Sequence, residues 1–474
     1  MSGFVMRRLL NGGALCCSLL ALSACAVGPD YHKPDTAMPV AFKEAPEGWK
    51  IAEPADAADR GAWWRVYQDP LADSLASQVA INNQNLKAYE AAYRQAQAVV
   101  REERSNLFPT VTGAPSVTRK KSAGVLSTTN TVEATASWDL DLWGKVRRQI
   151  ESDKASAQAS AAELAALTLS AQTDLVTDYF ALRYQDSLTR LLNDTVRAYE
   201  RSLLITQNQH AAGVAALADV VTAQTQLQTT RASAIAAAQL RAQYEHAIAL
   251  LIGKPPADLT IPPGELANTV PDVPLTLPST LLERRPDIAE VERTMQQQNA
   301  LIGVAVAAYY PTVTLSAAFG FSGGPLDSLM SASNMLWSVA ASGSGTLLDG
   351  GARSAAVDAA RAGYDQSVAN YRETVLAAFQ NVEDQLSNLR ILQQEAGAQA
   401  EAVRLARQAV DITLNEYRAG TTTYTSVVTA QATALSNEET ALQIQQSRLS
   451  ASANLIEALG GGWNVSQLSR EATR

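Results

Sequence analysis

Cysteine and histidine are the side chains best suited to covalent or metal chemistry, and this sequence has few of either. The 474 residues include Cys16, Cys17, Cys25, His32, His210 and His246. The histidines lack the spacing of metal ligands, and the chain has neither a glycine-rich phosphate loop nor a nucleophile motif. We therefore predict a protein that is not an enzyme and that holds no metal or cofactor. A periplasmic hydrolase is the alternative that an activity assay would test.

Cys25 is the one cysteine with a predicted chemical role. Two arginines followed by an apolar run are typical of a secretory signal, and the run ends in Leu22-Ser23-Ala24-Cys25. This ending resembles a bacterial lipobox, in which the cysteine becomes the first mature residue and carries thioether-linked lipid. The other two cysteines would leave with the signal peptide, so no disulfide or thiolate metal site is expected. Ala26 stands in place of the aspartate that usually marks inner-membrane retention, which favours the outer membrane.

The composition argues against a nucleic-acid partner and against transmembrane helices. A net charge of −9 and a pI near 5.1 argue against nucleic acid, whose phosphates normally meet a basic surface. Past residue 25 no run of 18 apolar residues occurs, so no transmembrane helix is predicted. Any membrane crossing must therefore use strands.

The chain repeats itself at an offset of 207 residues. The pentapeptide VVTAQ occurs at 220–224 and 427–431, and Gly144, Gly213 and Gly253 recur as Gly351, Gly420 and Gly460. Between these glycines lie four stretches without proline and nearly without glycine, at 145–212, 214–252, 352–419 and 421–459. Their lengths predict helices of about 100 Å and about 60 Å. Tight glycine turns would pair these helices into two antiparallel hairpins.

Four shorter segments alternate apolar and polar residues with a period of two. They lie at 110–118, 131–140, 312–321 and 337–347, and each has about the ten residues that cross a bilayer as a tilted strand. A barrel wall has this pattern, although a soluble sheet with one solvated face would have it too. Four strands cannot close a barrel, whereas about twelve enclose a water-filled lumen, so three chains are the smallest conduit.

Four motifs, in this order, resemble the outer-membrane factor lipoproteins of the TolC superfamily, the exit ducts of tripartite efflux pumps. They are CAVGPDY at 25–31, WDLDLWGKVRR at 138–148, LPSTLLERRPDI at 277–288 and ALGGGW at 458–463. The resemblance covers nearly the whole mature chain. It implies a homotrimer with a twelve-stranded barrel among outer-membrane lipids, a periplasmic tunnel of twelve helices and an equatorial belt of proline-rich segments. It also implies two partners, a periplasmic adaptor and, through it, an inner-membrane pump.

The predicted fold class is an α+β membrane protein, a trimeric β-barrel continuous with a periplasmic α-helical barrel, with a small equatorial domain and an internal two-fold repeat. The ten predicted segments are the signal peptide (1–24), an extended N-terminal and equatorial segment (25–75), a helix (76–109), the first β-hairpin (110–142), the first long helical hairpin (143–253), a proline-rich equatorial connector (254–282), a helix (283–310), the second β-hairpin (311–349), the second long helical hairpin (350–460) and a C-terminal tail (461–474).

The resemblance also implies two functional sites. The helical tips where an adaptor docks correspond to Ala212, Gly213, Val214, Ala215, Leu217, Ala419, Gly420, Thr421 and Thr422. The periplasmic gate corresponds to Tyr417, Arg418, Thr425, Val428, Thr429 and Ala432. Related ducts often carry an aspartate where this chain has Thr429, so we expect a constriction that binds cations far less well than carboxylates would. We also expect Tyr417 and Arg418 to restrain the tip through hydrogen bonds.

The predicted function is a passive outer-membrane exit duct for drugs or other small toxic compounds. Met295, Met330 and Met335 form no obvious soft-metal relay along the sequence. Two alternatives stay open. One is a duct for metal ions or for peptides and proteins, and the other is a lipid-anchored helical rod, which would need the helices but not the strands.

Overall fold

The computed structural model describes residues 26–35, 39, 41–44, 61–271, 273 and 284–463. The predicted signal peptide and Cys25 lie outside the described residues, as does the tail from 464 onward. The chain divides into two compact units. The first contains the N-terminal residues up to 36 with 90–162 and 289–374, and the second contains 37–89, 163–288 and 375–474, so far as these are described.

The helices and strands repeat in the order that the sequence predicts. The helices of the described ranges are α1 (Pro70–Asn82), α2 (Gln84–Ser105), α3 (Lys145–Ala211), α4 (Leu217–Leu251), α5 (Pro286–Ala307), α6 (Ala352–Arg418) and α7 (Tyr424–Ala458). The strands are β1 (Thr110–Ser122), β2 (Val125–Leu140), β3 (Thr312–Gly323) and β4 (Met335–Ser344). Helices α3 and α6 each have 67 residues, and α4 and α7 each have 35. The combination of long helices with a four-stranded sheet in the predicted fold class is confirmed.

The four long helices end in one backbone motif. Each is followed by a glycine with a positive φ: Gly213 (77°), Gly253 (68°), Gly420 (73°) and Gly460 (91°). The residue after each glycine donates its N–H to the carbonyl five residues earlier, at 2.8 to 3.0 Å. This is the Schellman motif, which needs a left-handed residue that glycine adopts without a steric penalty. The glycines that punctuate the sequence repeat therefore end the helices.

The structure corrects the single helix predicted over 76–109 to the two helices α1 and α2. Helix α1 begins earlier because Pro70 suits a first helical position and the Asp69 carboxylate accepts two N–H groups of the first turn, at 2.9 and 3.1 Å. Asn83 separates the helices, since its side-chain oxygen caps α2 through two more N–H groups at 2.9 and 3.1 Å. Its amide donates to the Leu251 carbonyl at 2.9 Å. One buried side chain thus caps the start of α2 and binds the end of α4.

The sheet of the first unit is a meander in the order β1-β2-β3-β4, and all neighbours are antiparallel. The register aligns the apolar residues of each strand on one face. That apolar face carries Val111, Gly113, Pro115, Val117, Val132, Ala134, Ala136, Trp138, Leu140, Val313, Leu315, Ala317, Phe319, Phe321, Met335, Trp337, Val339, Ala341 and Gly343. The other face carries mainly Thr and Ser, with Glu133 and Asp139. The sheet does not close, so β1 and β4 are its edges.

The N-terminal residues lie against the first unit as an extended strap, 26–33. Its Val27 N–H donates to the Trp143 carbonyl at 3.0 Å. The buried Arg148 guanidinium donates to the carbonyls of Val27 and Gly28, at 3.2 and 3.3 Å. Gly28 has φ +97°, and a Cβ built on it would lie 2.4 Å from the Cα of Gly303. The strap is therefore seated by a glycine-to-glycine contact that leaves no space for a side chain.

The core of the second unit packs α1 and the 3₁₀ turn Trp63–Tyr67 against α3, α4 and α7. Beside it, Asp186 of α3 accepts hydrogen bonds from Arg183 at 3.1 Å, from Arg241 of α4 at 2.7 Å and from the backbone of Gly264 at 3.0 Å. The Asp186 side chain is only 4% exposed. Both arginines also donate to carbonyls of the connector, those of Pro262 and Ile261. One carboxylate thus ties the connector to two helices.

The described residues include neither a membrane-spanning helix nor a cluster of metal-ligating side chains. None of the described helices combines the length and the hydropathy needed to cross a membrane. Within the same ranges, no three His, Cys, Asp or Glu side chains gather as a metal site.

Candidate functional site

The α3–α4 and α6–α7 turns, which we call the first and second tips, share a backbone but differ in chemistry. A Cβ added at Gly213 or Gly420 would meet nothing within 4 Å, so both turns are open. The first tip exposes Val214 and Leu217, at 71% and 61%. At the offset of 207 residues, Thr421 corresponds to Val214 and the buried Tyr424 corresponds to Leu217. The Thr421 hydroxyl donates to the Glu416 carbonyl at 3.0 Å. One tip therefore offers an apolar surface and the other a polar one.

The predicted tip residues are mostly exposed in the single chain. Ala212, Gly213, Val214, Leu217, Ala419, Gly420 and Thr421 are exposed, while Ala215 and Thr422 are partly buried. His210 adds a contact that the sequence did not indicate, because its Nδ1 lies 2.9 Å from the Ala215 carbonyl oxygen. The imidazole ring of His210 is therefore part of the first tip's own turn.

An aromatic pair stabilises the second tip from beneath. The rings of Tyr417 and Tyr424 lie 5.3 Å apart between centroids, and both are buried together with Ala223 and Val427. The Tyr424 hydroxyl lies 3.3 Å from the Ser202 hydroxyl of α3. This tip cluster joins the two hairpins, since its members come from α4, α6 and α7. Tyr424 is the important residue here that the sequence reasoning missed.

The structure divides the predicted gate residues into two groups. Tyr417 lies in the tip cluster with Val428 packed against it. Thr425, Thr429 and Ala432 are exposed along one face of α7. The Thr429 hydroxyl donates to the Thr425 carbonyl at 2.9 Å, so its proton is used within the helix. An exposed row of this kind suits a constriction without fixed charge.

Tyr417 and Arg418 contact the tip in a different way from the hydrogen bonds that we predicted for them. Arg418 is exposed, and its guanidinium donates to Asn415 of its own helix at 3.3 Å. Tyr417 packs through its ring, and its backbone carbonyl accepts a long bond of 3.4 Å from the Gln209 amide. Packing accounts for more of this contact than hydrogen bonding does, because the aromatic pair is fully enclosed whereas these bonds are long.

The aromatic side chains near the helix-proximal end of the sheet are fixed by hydrogen bonds. Trp138 donates its indole N–H to the Leu107 carbonyl at 3.1 Å, and Trp143 donates to the Pro311 carbonyl at 2.8 Å. Trp143 also stacks on Tyr310, with centroids 4.8 Å apart. Ordered aromatic rings with a satisfied polar edge are typical of a membrane interface.

Three carboxylates in the second unit are partly shielded from solvent by neighbouring helices. Burial, together with the charge of neighbouring Asp174, raises the pKa of Asp178 to about 6. Burial likewise raises the pKa of Asp174 and of Glu457. Since an unfolded aspartate titrates near pH 4, folding favours the protonated form of Asp178 between about pH 4 and pH 6. Its ionisation therefore lowers stability as the pH rises through this window.

We expect Asp178→Asn to raise the thermal midpoint of the purified protein at pH 7.5 and to have no effect below about pH 4, where both states are neutral. Thermal melts at the two pH values measure this difference. Asp358→Asn, an exposed carboxylate of α6, is the control that should change neither midpoint. An equal shift of the Asp178 variant at both pH values would contradict the assignment.

Most of the chain is similar to outer-membrane efflux proteins, both in sequence and in structure. Residues 75–254 and 277–461 match the family model described as outer membrane efflux protein. The toluene efflux pump outer membrane protein TtgC of Pseudomonas putida is 28% identical over 466 residues, which cover 95% of each chain. The cation efflux system protein CusC of Escherichia coli is 26% identical over 453 residues, covering 94% of this chain and 98% of that one. The solved outer-membrane channel OprN is 30% identical, with a TM-score of 0.84 over 93% of this chain and 100% of its own.

Proposed function

The chain belongs to the outer membrane efflux protein family, and from this we propose that it is the passive exit duct of a tripartite efflux system. Three chains form one barrel in the outer membrane of a Gram-negative bacterium, and their helices extend into the periplasm. The lipid on Cys25 anchors each chain to the membrane. No step of transport draws energy at the outer membrane, because neither ATP nor a proton gradient is available there.

The four-stranded sheet is the observation that carries this proposal. Its apolar face and its polar face are continuous across all four strands, as a wall between lipid and water requires. Its two edge strands cannot remain unpaired in lipid, because no water is present there to form hydrogen bonds with their backbone N–H and C=O groups. Edge β4 of one chain therefore pairs with β1 of the next, and three chains close the barrel around an aqueous lumen. A helical rod would need none of these features.

Planar-bilayer recordings and gel electrophoresis of the purified protein test the duct. We expect a trimer that dissociates only on heating and that conducts ions in discrete steps. Removing the apolar face by replacing Val132, Phe319 and Val339 with serine should abolish membrane insertion. A protein that binds membranes but neither trimerises nor conducts would support the anchored rod instead.

We propose the two tips as the docking surface for a periplasmic adaptor, which in turn binds the inner-membrane pump. Val214 and Leu217 supply exposed apolar area that one chain does not cover. The open turns at Gly213 and Gly420 allow close approach of another helix. Small residues at a crossing reduce the distance between backbones, so an adaptor hairpin can lie between neighbouring tips.

The gate that we propose is the exposed row Thr425, Thr429 and Ala432, repeated three times around the lumen. Cysteines introduced at Thr425 and at Thr429 should cross-link between chains of the resting trimer and lower its conductance. Cysteine at Thr413, partly exposed on α6 and outside this row, is the control that should not cross-link. If neither gate cysteine cross-links, the row does not face the lumen axis.

The cargo that we propose is drugs or other small toxic organic compounds. Two relatives of nearly equal identity are named for different cargoes, toluene for TtgC and cations for CusC. Among the described residues the methionines do not form a relay, since Met295 is fully buried whereas Met330 and Met335 are exposed elsewhere. Export of toluene and of metal cations, compared in cells with and without the gene, distinguishes the two cargo classes.

A further inference from the structure

The β1–β2 hairpin extends beyond the rest of the sheet. Pairing of β2 with β3 ends at Asn130 and Gly323, so residues 125–129 of β2 pair only with residues 118–122 of β1. At a rise of about 3.4 Å per residue, this overhang is about 17 Å long. The helices that flank the sheet in sequence join its opposite end, so the overhang points away from them.

The overhang carries a concentrated positive charge on a chain whose net charge is −9. Arg119, Lys120 and Lys121 are consecutive and exposed. The segment from 110 to 132 has no Asp or Glu at all. In the described part of the chain, none of the three cations forms an ion pair. These charges therefore remain available to an external anion.

The strand register assigns the three cations to different faces. Arg119 lies opposite Thr128 and Lys121 opposite Leu126, which are positions of β2 on the same face as Val132 and Trp138. Lys120 lies opposite Ser127, on the polar face. Two cations thus lie on the same side of the hairpin as the apolar face, while the third lies on the opposite side.

The height of the two cations matches the outer edge of a bilayer. From Trp138 to Thr128, the partner of Arg119, β2 rises by ten residues. This is about 34 Å along the strand and about 26 Å along the membrane normal at a tilt of about 40°. The apolar band of an outer-membrane barrel is about 25 Å tall. With Trp138 at the periplasmic interface, Arg119 and Lys121 reach the level of the outer headgroups.

We propose that Arg119 and Lys121 form a binding site for the phosphate groups of an outer-leaflet glycolipid. The guanidinium binds two phosphate oxygens at once, and the ammonium two residues farther along, about 7 Å away, binds a second phosphate. The acyl chains of that lipid lie on Val117, Pro115 and the apolar face below. This site goes beyond export and rests on the proposed barrel only in that the apolar face must contact lipid.

Native mass spectrometry of the full-length trimer with lipid A carrying two phosphates tests the site. Each removed charge should weaken binding about five-fold, so the double variant Arg119→Gln with Lys121→Gln should bind about 25-fold less well. Lys120→Gln is the matched control, because it removes one charge from the neighbouring residue on the other face. It should change binding less than two-fold, whereas Lys121→Gln alone should change it about five-fold.

Dephosphorylated lipid A provides a measurement on the unaltered protein. Its binding should fall to the level of the double variant, and inorganic phosphate at millimolar concentration should not displace the intact lipid. Equal binding of the two lipids, or equal effects of Lys120→Gln and Lys121→Gln, would overturn the proposal. Full displacement by inorganic phosphate would reduce the site to a simple anion site. Conductance and heat-dependent trimer migration are recorded for each variant, so failure of the barrel is distinguishable from failure of the lipid site.

Discussion

Asp186→Ala should lower the stability of the folded protein by about 3–5 kcal/mol, since it leaves the buried Arg183 and the partly buried Arg241 without their common carboxylate. Arg183 and Arg241 approach Asp186 at 3.1 and 2.7 Å, and the connector backbone at Gly264 loses its acceptor as well. We expect the connector to detach from α3 and α4. Chemical denaturation of the detergent-solubilised trimer measures the loss, and protease cleavage near Gly264 reports the detachment.

The exposed carboxylate Asp194 provides the control for this change. It forms an ion pair with Arg197 one turn away on the surface of α3. Asp194→Ala should cost less than about 1 kcal/mol, because water screens exposed pairs. If Asp186→Ala and Asp194→Ala proved equally mild, the buried carboxylate would not be holding the connector.

Gly28→Ala should release the N-terminal strap, and we expect most of the protein to fail to reach a heat-resistant trimer. A Cβ there would lie 2.4 Å from the backbone of Gly303, and φ +97° is unfavourable for any residue with a side chain. Backbone cannot move aside as a flexible side chain can, so the strap itself must shift and lose its bonds to Arg148. Limited proteolysis of the N-terminus and trimer yield in membranes measure this effect.

Gly397→Ala is the matched control for the strap variant. Gly397 lies inside α6, and nothing lies within 4 Å of the Cβ that it would gain. Alanine favours a helix over glycine by about 1 kcal/mol, so this variant should assemble as well as the natural chain or better. Intact strap protection in Gly28→Ala would show that the glycine contact does not seat the N-terminus.

The long helices and the strand faces could be predicted from sequence because each depends on a local pattern. Glycine ends a helix through its own φ, so Gly213 and Gly420 marked the turns directly. Strict alternation from 131 to 140 fixes which residues share a face, whatever the partner strand. The helix break at Asn83 was not predictable in this way, because its amide is held by the carbonyl of Leu251, 168 residues away.

The parts of the candidate sites that escaped prediction depend on register and on contacts between hairpins. Arg119, Lys120 and Lys121 interrupt the apolar alternation, so the sequence indicated a shorter β1 than the 13 residues observed. Only pairing with β2 shows that the strand continues. Tyr417 and Tyr424 are close in sequence, but their burial requires Ala223 from the other hairpin. The roles of Thr425 and Thr429 in closing a lumen remain predictions for the cross-linking experiment.

Because the two halves of the repeat are joined in one chain, the two tips can differ in sequence, and this affects the symmetry of the assembly. A ring of six identical half-chains would place the same residues at every position, so a substitution at one tip would appear at all six. Joining two halves in one chain leaves only a three-fold constraint on residue identity. Val214 and Leu217 can then stay apolar and exposed while their counterparts are the polar Thr421 and the buried Tyr424. Duplication within one chain thus allowed the first and second tips, which alternate around the ring, to evolve different surfaces.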